Sequence, residues 1–249
     1  MTSDYTTPAV PARHDTFATT HWTAVIAAGR RSTPQSEKAL AELCGNYWYP
    51  LYAYVRRRGN TREDAEDLTQ SFFAKFLERN YLDGLSAEKG RFRAFLLASL
   101  KNFLANEWHK SRRQKRGGSS PVLSLDWQSA DSRYQIDPAD NLSPDRIYDR
   151  EWALALLERV ITRLRDESIA ADKAQLFESL KPFLTADKSS MPYAQIAADL
   201  QMAEGALRVS VHRLRRRYRE LLRDEIRQTL SDPAQLADEM QTLLGAFAR

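Results

Sequence analysis

Leu207, Val211, Leu214, Tyr218 and Leu221 recur at intervals of three and four within "EGALRVSVHRLRRRYRELLR". That spacing puts them on one stripe of an α-helix and excludes a strand, whose inward residues would alternate. The same period returns along most of the chain. Trp22, Val25 and Ile26 carry it in "HWTAVIAAG", which Gly29 stops. Leu40, Leu43, Tyr47, Leu51, Tyr54 and Val55 carry it between Glu37 and Arg58, with Pro50 expected to interrupt and Gly59 to end the helix. Leu68, Phe72, Phe76 and Leu77 follow a capping-box-like start at Thr61 and Asp64. "FRAFLLASLKNFLANEWHKSRR" is a further amphipathic helix, basic at its end. No segment alternates over any length, so the fold class is all-α.

The period lapses twice. Residues 1–20, rich in Thr, Pro and Ala, read as a mobile N-terminal tail. Between "RGGSSP" and "DNLSPDR", Gly, Ser, Pro and Asp accumulate, which marks residues 117–148 as a linker between helical domains at 21–116 and 149–229. The linker is acidic, and it carries Leu123, Leu125, Trp127, Tyr134 and Ile136, some of which are expected to dock on a surface. Residues 230–249 form a C-terminal helical extension, capped by Ser231 or Asp232, whose stripe of Leu236, Met240, Leu243, Leu244 and Phe247 needs a cover.

Charge is distributed in blocks although the net charge is only +4. The segments 101–116 and 208–223 are basic and flank the acidic linker. Along the helix from Arg208 the arginines lie off the apolar stripe, and the acids that would pair with them at i,i+4 spacing are read as missing, so they are expected to lack partners within the helix and to meet a polyanion. "MPYAQIAADLQMAEGALRVSVHRLRRRY" has the logic of a helix-turn-helix. Tyr193, Ile196, Ala197 and Leu200 face inward from its first helix, Met202 lies in the turn, and Leu207, Val211 and Leu214 face inward from the second. An ordinary helical hairpin is the plainer alternative.

Little in the chain suggests catalysis. His14, His21, His109 and His212 are scattered, and Cys44 is the single cysteine, so no metal-ligand spacing and no disulfide framework arises. "RGGSS" lacks the Lys-Ser/Thr of a phosphate loop. No catalytic residue, metal or cofactor is expected. The absence of a long apolar run or a secretory pattern points to a cytoplasmic protein without a membrane partner.

The phrase "PYAQIAADLQMAEGALRVSVHRLRRRYRELL" resembles the region 4 helix-turn-helix of bacterial RNA polymerase sigma factors of the sigma-70 class, above all the extracytoplasmic-function (ECF) subfamily. "DAEDLTQSFFAKFL" resembles the region 2 core-binding helix of that family, and "GRFRAFLLASLKNFLANEWHKSRR" its promoter-melting helix. The resemblance covers roughly residues 36–116 and 150–224. It implies a sigma factor, not an enzyme, with a region 2 bundle and a region 4 helix-turn-helix. Its partners would be the core polymerase (largest-subunit clamp helices and flap), double-stranded and melted promoter DNA, and an anti-sigma protein or other regulator.

By that resemblance Asp64, Glu66, Asp67, Leu68, Gln70 and Phe73 would bind core polymerase. Tyr81, Arg93, Lys101, Asn102, Asn106, His109 and Lys110 would meet the −10 element, with Tyr81, Phe92 and Arg93 candidates for holding a flipped base. Phe92 is equally expected in the core, and Trp108 is expected there in preference to a wedge at the melted edge. Glu204, Gly205, Arg208, Val209 and His212 would face the −35 element, Arg208 as the first candidate for a base contact. Arg213, Arg216 and Arg217 would hold phosphates. The chain departs from the family at Gln201, where Gly is usual, at Ala203, where Ser or Thr caps the helix, and at Asn106, where aspartate is frequent. Two alternatives stand beside this reading: a helix-turn-helix regulator acting alone, and a polymerase-binding protein that does not initiate.

Overall fold

The computed structural model describes residues 34–77, 90–111, 132, 134, 142–185 and 192–247. Tyr81, the helix expected at 21–29 and most of the linker lie outside them.

Helix α1 spans Pro34–Arg57 and runs through Pro50, which was expected to interrupt it. Pro50 removes one backbone donor, yet Leu51, Tyr52, Ala53 and Val55 beside it are fully buried, and that packing carries the helix across the lost bond. Gly59, at φ +90°, then ends the segment in a conformation that suits glycine. Helix α2, Arg62–Phe76, starts as its sequence predicts: Thr61 Oγ1 accepts from the Asp64 amide at 3.1 Å and donates to the Asp64 carboxylate at 2.9 Å. Helix α3 spans Phe92–Ser111.

Helix α4, Pro144–Ala170, begins six residues before the expected start near Arg150. Ser143 caps it, Pro144 occupies the first turn, and Ile147 and Tyr148 are already buried there. Tyr134 docks as a linker aromatic was expected to: it packs against the core, and the Arg56 guanidinium stands 5.0 Å over its ring. Helix α5, Ala174–Leu180, runs into a short 3-10 turn at Lys181–Leu184. Helices α6, Tyr193–Asp199, and α7, Glu204–Gln228, follow, joined by a short turn at 200–203. Asp232 caps the 3-10 turn Pro233–Gln235, and α8, Leu236–Gly245, closes the described chain. Among the described residues no strand forms; the one extended contact is an isolated bridge between Arg91 and Leu230. The fold is all-α.

Two apolar clusters hold these helices. The smaller joins Leu180, Phe183, Ala197, Leu207 and Val211, with Tyr193, Ile196, Leu200 and Leu214 packed around it. It contains the inward residues that the periodicity assigns to the helix-turn-helix. The larger cluster starts with Tyr47, Tyr52, Phe72, Phe73, Phe76 and Phe92 from α1, α2 and α3. It continues into Trp152, Leu156 and Val160 of α4, Leu221 and Ile226 of α7, and Leu243 of α8. Each such side chain contributes roughly 1.5–3 kcal/mol when fully buried. One core therefore runs through helices on both sides of the acidic segment.

A polar network closes the base of this core. Arg93 donates to Glu239 of α8 at 2.5 Å and to Asp149 of α4, and its guanidinium stands 4.7 Å over Trp152. Arg91 pairs with Glu239 at 3.0 Å, and the Phe92 amide donates to the Thr229 carbonyl at 3.0 Å. On α8, Leu243 is buried and Leu236 and Met240 are half-buried, while Leu244 and Phe247 remain exposed. The C-terminal stripe is thus covered in part, by the chain itself.

Candidate functional site

The N-terminal half of α7 presents one solvent-facing surface. Leu207 and Val211 fix its rotation by entering the small cluster, which leaves Glu204, Gly205, Arg208, Val209 and His212 exposed together. Arg208 bonds Glu204 at 2.6 and 2.9 Å, and its guanidinium lies 4.3 Å over the Tyr193 ring of α6. The turn before the helix bears both departures noted in the sequence. Gln201 has φ +52°, a left-handed conformation that costs a side-chain-bearing residue, and Ala203 offers no side-chain cap.

The expectation that the arginines of this helix lack acidic partners needs correcting. Arg208 finds Glu204 one turn earlier, and Arg216 finds Glu220 at 3.5 Å. Arg217 reaches Glu220 at 3.3 Å and, across the helix interface, Glu167 of α4 at 2.7 and 2.8 Å. Arg215 donates to the Phe183 carbonyl at 2.7 and 2.9 Å. The bond from Arg217 holds the Glu167 carboxyl below its usual range. Exposed pairs of this kind are worth about 0–1 kcal/mol, so a phosphate can compete for the same guanidinium. Arg213, Arg219 and Arg223 are exposed.

On α3 the expected DNA residues divide. Asn102 and Asn106 are exposed on a common face, about 40° apart around the helix. Lys101 pairs with Asp145 of α4 and stands 5.8 Å from the Tyr54 ring centre. His109 and Lys110 extend the helix, but their side chains lie outside the described residues. Arg93 is a correction. It is 6% exposed and enclosed by Glu239, Asp149 and Trp152, so in this arrangement it cannot hold a flipped base. Burial would lower its ionisation, but the bond to Glu239 and the Glu239 and Asp149 charges more than restore it, so it stays a cation. Phe92 is fully buried and packs edge-on against Tyr47, which assigns it to the core.

On α2, Asp64 and Asp67 are exposed, Glu66 pairs with Arg62 at 2.8 Å, and Leu68 and Gln70 are half-buried. Phe73 is the second correction, because it is fully buried against Phe72 and presents nothing to a partner. Trp108 is the third: expected in the core, it is 55% exposed. It lies in a groove between α2 and α3 with Asp64, Asp67, Leu68 and Leu104. The sequence held the signal, since Leu96, Leu100 and Phe103 point next to Glu107 and leave Trp108 one position past the buried stripe.

Among the described residues no group of His, Cys, Asp and Glu could hold a metal ion, and no helix is long and apolar enough to cross a membrane. Comparison with known families matches residues 47–114 to sigma-70 region 2. No curated protein and no solved structure gives a significant match. The matched segment contains α2 and α3, the helices that carry the acidic and asparagine-bearing faces, and the C-terminal part of α1. Residues 47–114 are thus similar to region 2 of sigma-70 factors, non-enzymatic proteins that bind RNA polymerase in transcription initiation.

Proposed function

We propose that the protein is an ECF-type sigma factor that directs core polymerase to promoters from the cytoplasm. The observation that carries this reading is the region 2 match over helices whose exposed residues include an acidic set, Asp64 and Asp67, and a separate amide set, Asn102 and Asn106. The acidic set would dock on basic clamp helices of the polymerase. The amide set, with Lys101, His109 and Lys110, would meet the −10 element. Region 4 of the factor would be the helix-turn-helix of α6 and α7, reading the −35 element through Arg208 and its exposed neighbours and holding phosphates through Arg213, Arg216 and Arg217. Residues 1–20 and 230–249 would be appendages to the two regions, and an anti-sigma protein is a candidate regulator.

Geometry adds one requirement. The amide of Phe92 and the carbonyl of Thr229 are bonded, so Asn102 and Arg208 are separated by at most ten residues of α3 and twenty-one of α7. At 1.5 Å per residue their backbones are no more than about 55 Å apart. Elements centred about 25 base pairs apart lie about 85 Å apart on straight B-DNA. Simultaneous reading therefore needs the two halves to separate. The same closure suits the second reading, a protein that occupies polymerase without initiating.

Binding assays with purified core polymerase and with promoter fragments test the proposal. Arg208→Ala should weaken binding to its cognate −35 sequence by about 1–3 kcal/mol and leave random DNA nearly unaffected. Equal loss on every sequence would remove Arg208 as a base reader.

A further inference from the structure

We infer that Tyr193 of α6 is a positioning residue for base reading: with Glu204 it holds the Arg208 guanidinium so that the outer edge meets guanine in duplex DNA. The inference rests on the reading of α7 as a DNA-reading helix and adds Tyr193, which that reading does not include. Phe183 is fully buried, and the Tyr193 ring packs on it with centroids 4.8 Å apart. Half-buried Tyr193 thus extends the small cluster to the surface, where the Arg208 guanidinium lies 4.3 Å over its ring. Glu204 Oε1 accepts from Arg208 Nε at 2.9 Å and from Nη2 at 2.6 Å. Arg215, by contrast, is drawn inward to the Phe183 carbonyl. Among the described residues no other arginine of α7 lies over a ring.

Bonding through Nε and Nη2 uses the side edge of the guanidinium. The end-on edge is left, with one N–H from Nη1 and one from Nη2, and that pair matches the O6 and N7 acceptors of guanine. The Glu204 carboxylate beside it repels phosphodiester oxygens, so this edge suits a base rather than the backbone. The ring face attracts the cation without occupying any of its donors. Ala203 leaves the first turn of α7 without a side-chain cap, and the two contacts of Arg208 tie that turn to α6. An arginine held in this way has less freedom to lose when it meets a base.

The test selects bound duplexes from a randomised double-stranded DNA library with the full chain, comparing wild type, Arg208→Ala, Tyr193→Phe and Tyr193→Leu. Arg208→Ala identifies the position that Arg208 reads. Tyr193→Leu keeps an apolar side chain against Phe183 but removes the ring face. It should cut the guanine preference at that position about fivefold and leave other positions unchanged. Tyr193→Phe, which keeps the ring, should retain the preference. A full guanine preference in Tyr193→Leu would overturn the inference. So would an equal loss at every position, which would reduce Tyr193 to packing. A second readout needs no DNA: in nitrogen relaxation the Arg208 Nε–H should be as ordered as the backbone in wild type and mobile in Tyr193→Leu. A mobile Nε–H in the wild type would overturn the inference whatever the variants do. Failure of the wild type to enrich any sequence, or an Arg208→Ala profile identical to wild type, would instead defeat the DNA-reading assignment of α7.

Discussion

Arg93 and Glu239, 146 positions apart in sequence, form a 2.5 Å ion pair at the base of the core, with Glu239 fully buried and Arg93 nearly so. The pair ties the first turn of α3 to the C-terminal helix. It also explains why Arg93 is not at the DNA surface. Glu239→Ala should leave Arg93 with Asp149 as its remaining carboxylate and cost about 3 kcal/mol of stability, because an under-compensated buried charge is expensive. Urea denaturation measures this, and replacing both residues with Met should recover much of the loss. A single-variant loss under 0.5 kcal/mol would make the pair incidental.

If promoter reading requires the halves to part, locking them should abolish it. Arg91 and Leu230 are bridge partners, close enough for a disulfide between cysteines placed there. The native Cys44 should not interfere, since burial pushes its thiol up to about 12. Oxidised Arg91→Cys/Leu230→Cys protein should bind isolated −35 DNA but fail to open a promoter, with reduction restoring activity. Full activity of the oxidised form would show that the closed arrangement suffices.

The turn between α6 and α7 is under-optimised. Gln201→Gly should relieve the left-handed backbone, and Ala203→Ser should supply the missing cap, each adding about 1 kcal/mol. Thermal or urea denaturation checks both. Loss of stability in Gln201→Gly would mean that its side chain contributes more than its conformation costs.

Glu167 competes with phosphate for Arg217. Glu167→Gln should free that guanidinium, tighten DNA binding at low salt and steepen the log–log salt slope by about 0.9. The pair also has a pH signature. Arg217 lowers the Glu167 pKa in the folded state, so its stabilisation is present above the ordinary value of 4.5 and is lost as pH falls below it. The stability difference between wild type and Glu167→Gln should therefore shrink on acidification below 4.5. A difference that grew there would reverse the sign.

Periodicity in the sequence placed most helices, the Thr61 and Asp232 caps and the inward residues of the helix-turn-helix, because each is a local property of spacing. The weak turn at Gln201 and Ala203 was legible from the resemblance, whose members usually carry Gly and a Ser or Thr cap there. Periodicity did not show that Trp152 and Leu221 share a core with Tyr47, since contacts across a hundred residues leave no trace in a 3.6-residue period. Arg93 and Phe73 were misplaced for a related reason. Position on a resembling motif says which helix a residue occupies, whereas burial depends on which distant helix covers it. Here Glu239, outside the resemblance, covers Arg93. Of the acids that meet the arginine run on α7, Glu204 and Glu220 stand at i,i+4 in the sequence and were overlooked, whereas Glu167, fifty positions away, left no local trace.

The most direct test is run-off transcription with purified core polymerase on promoters of the protein's own genome. A sigma factor predicts that the chain co-elutes with core and starts transcripts at discrete sites that core alone does not use. Absence of both co-elution and specific starts would contradict the account, and co-elution without transcripts would leave a polymerase-binding protein that does not initiate.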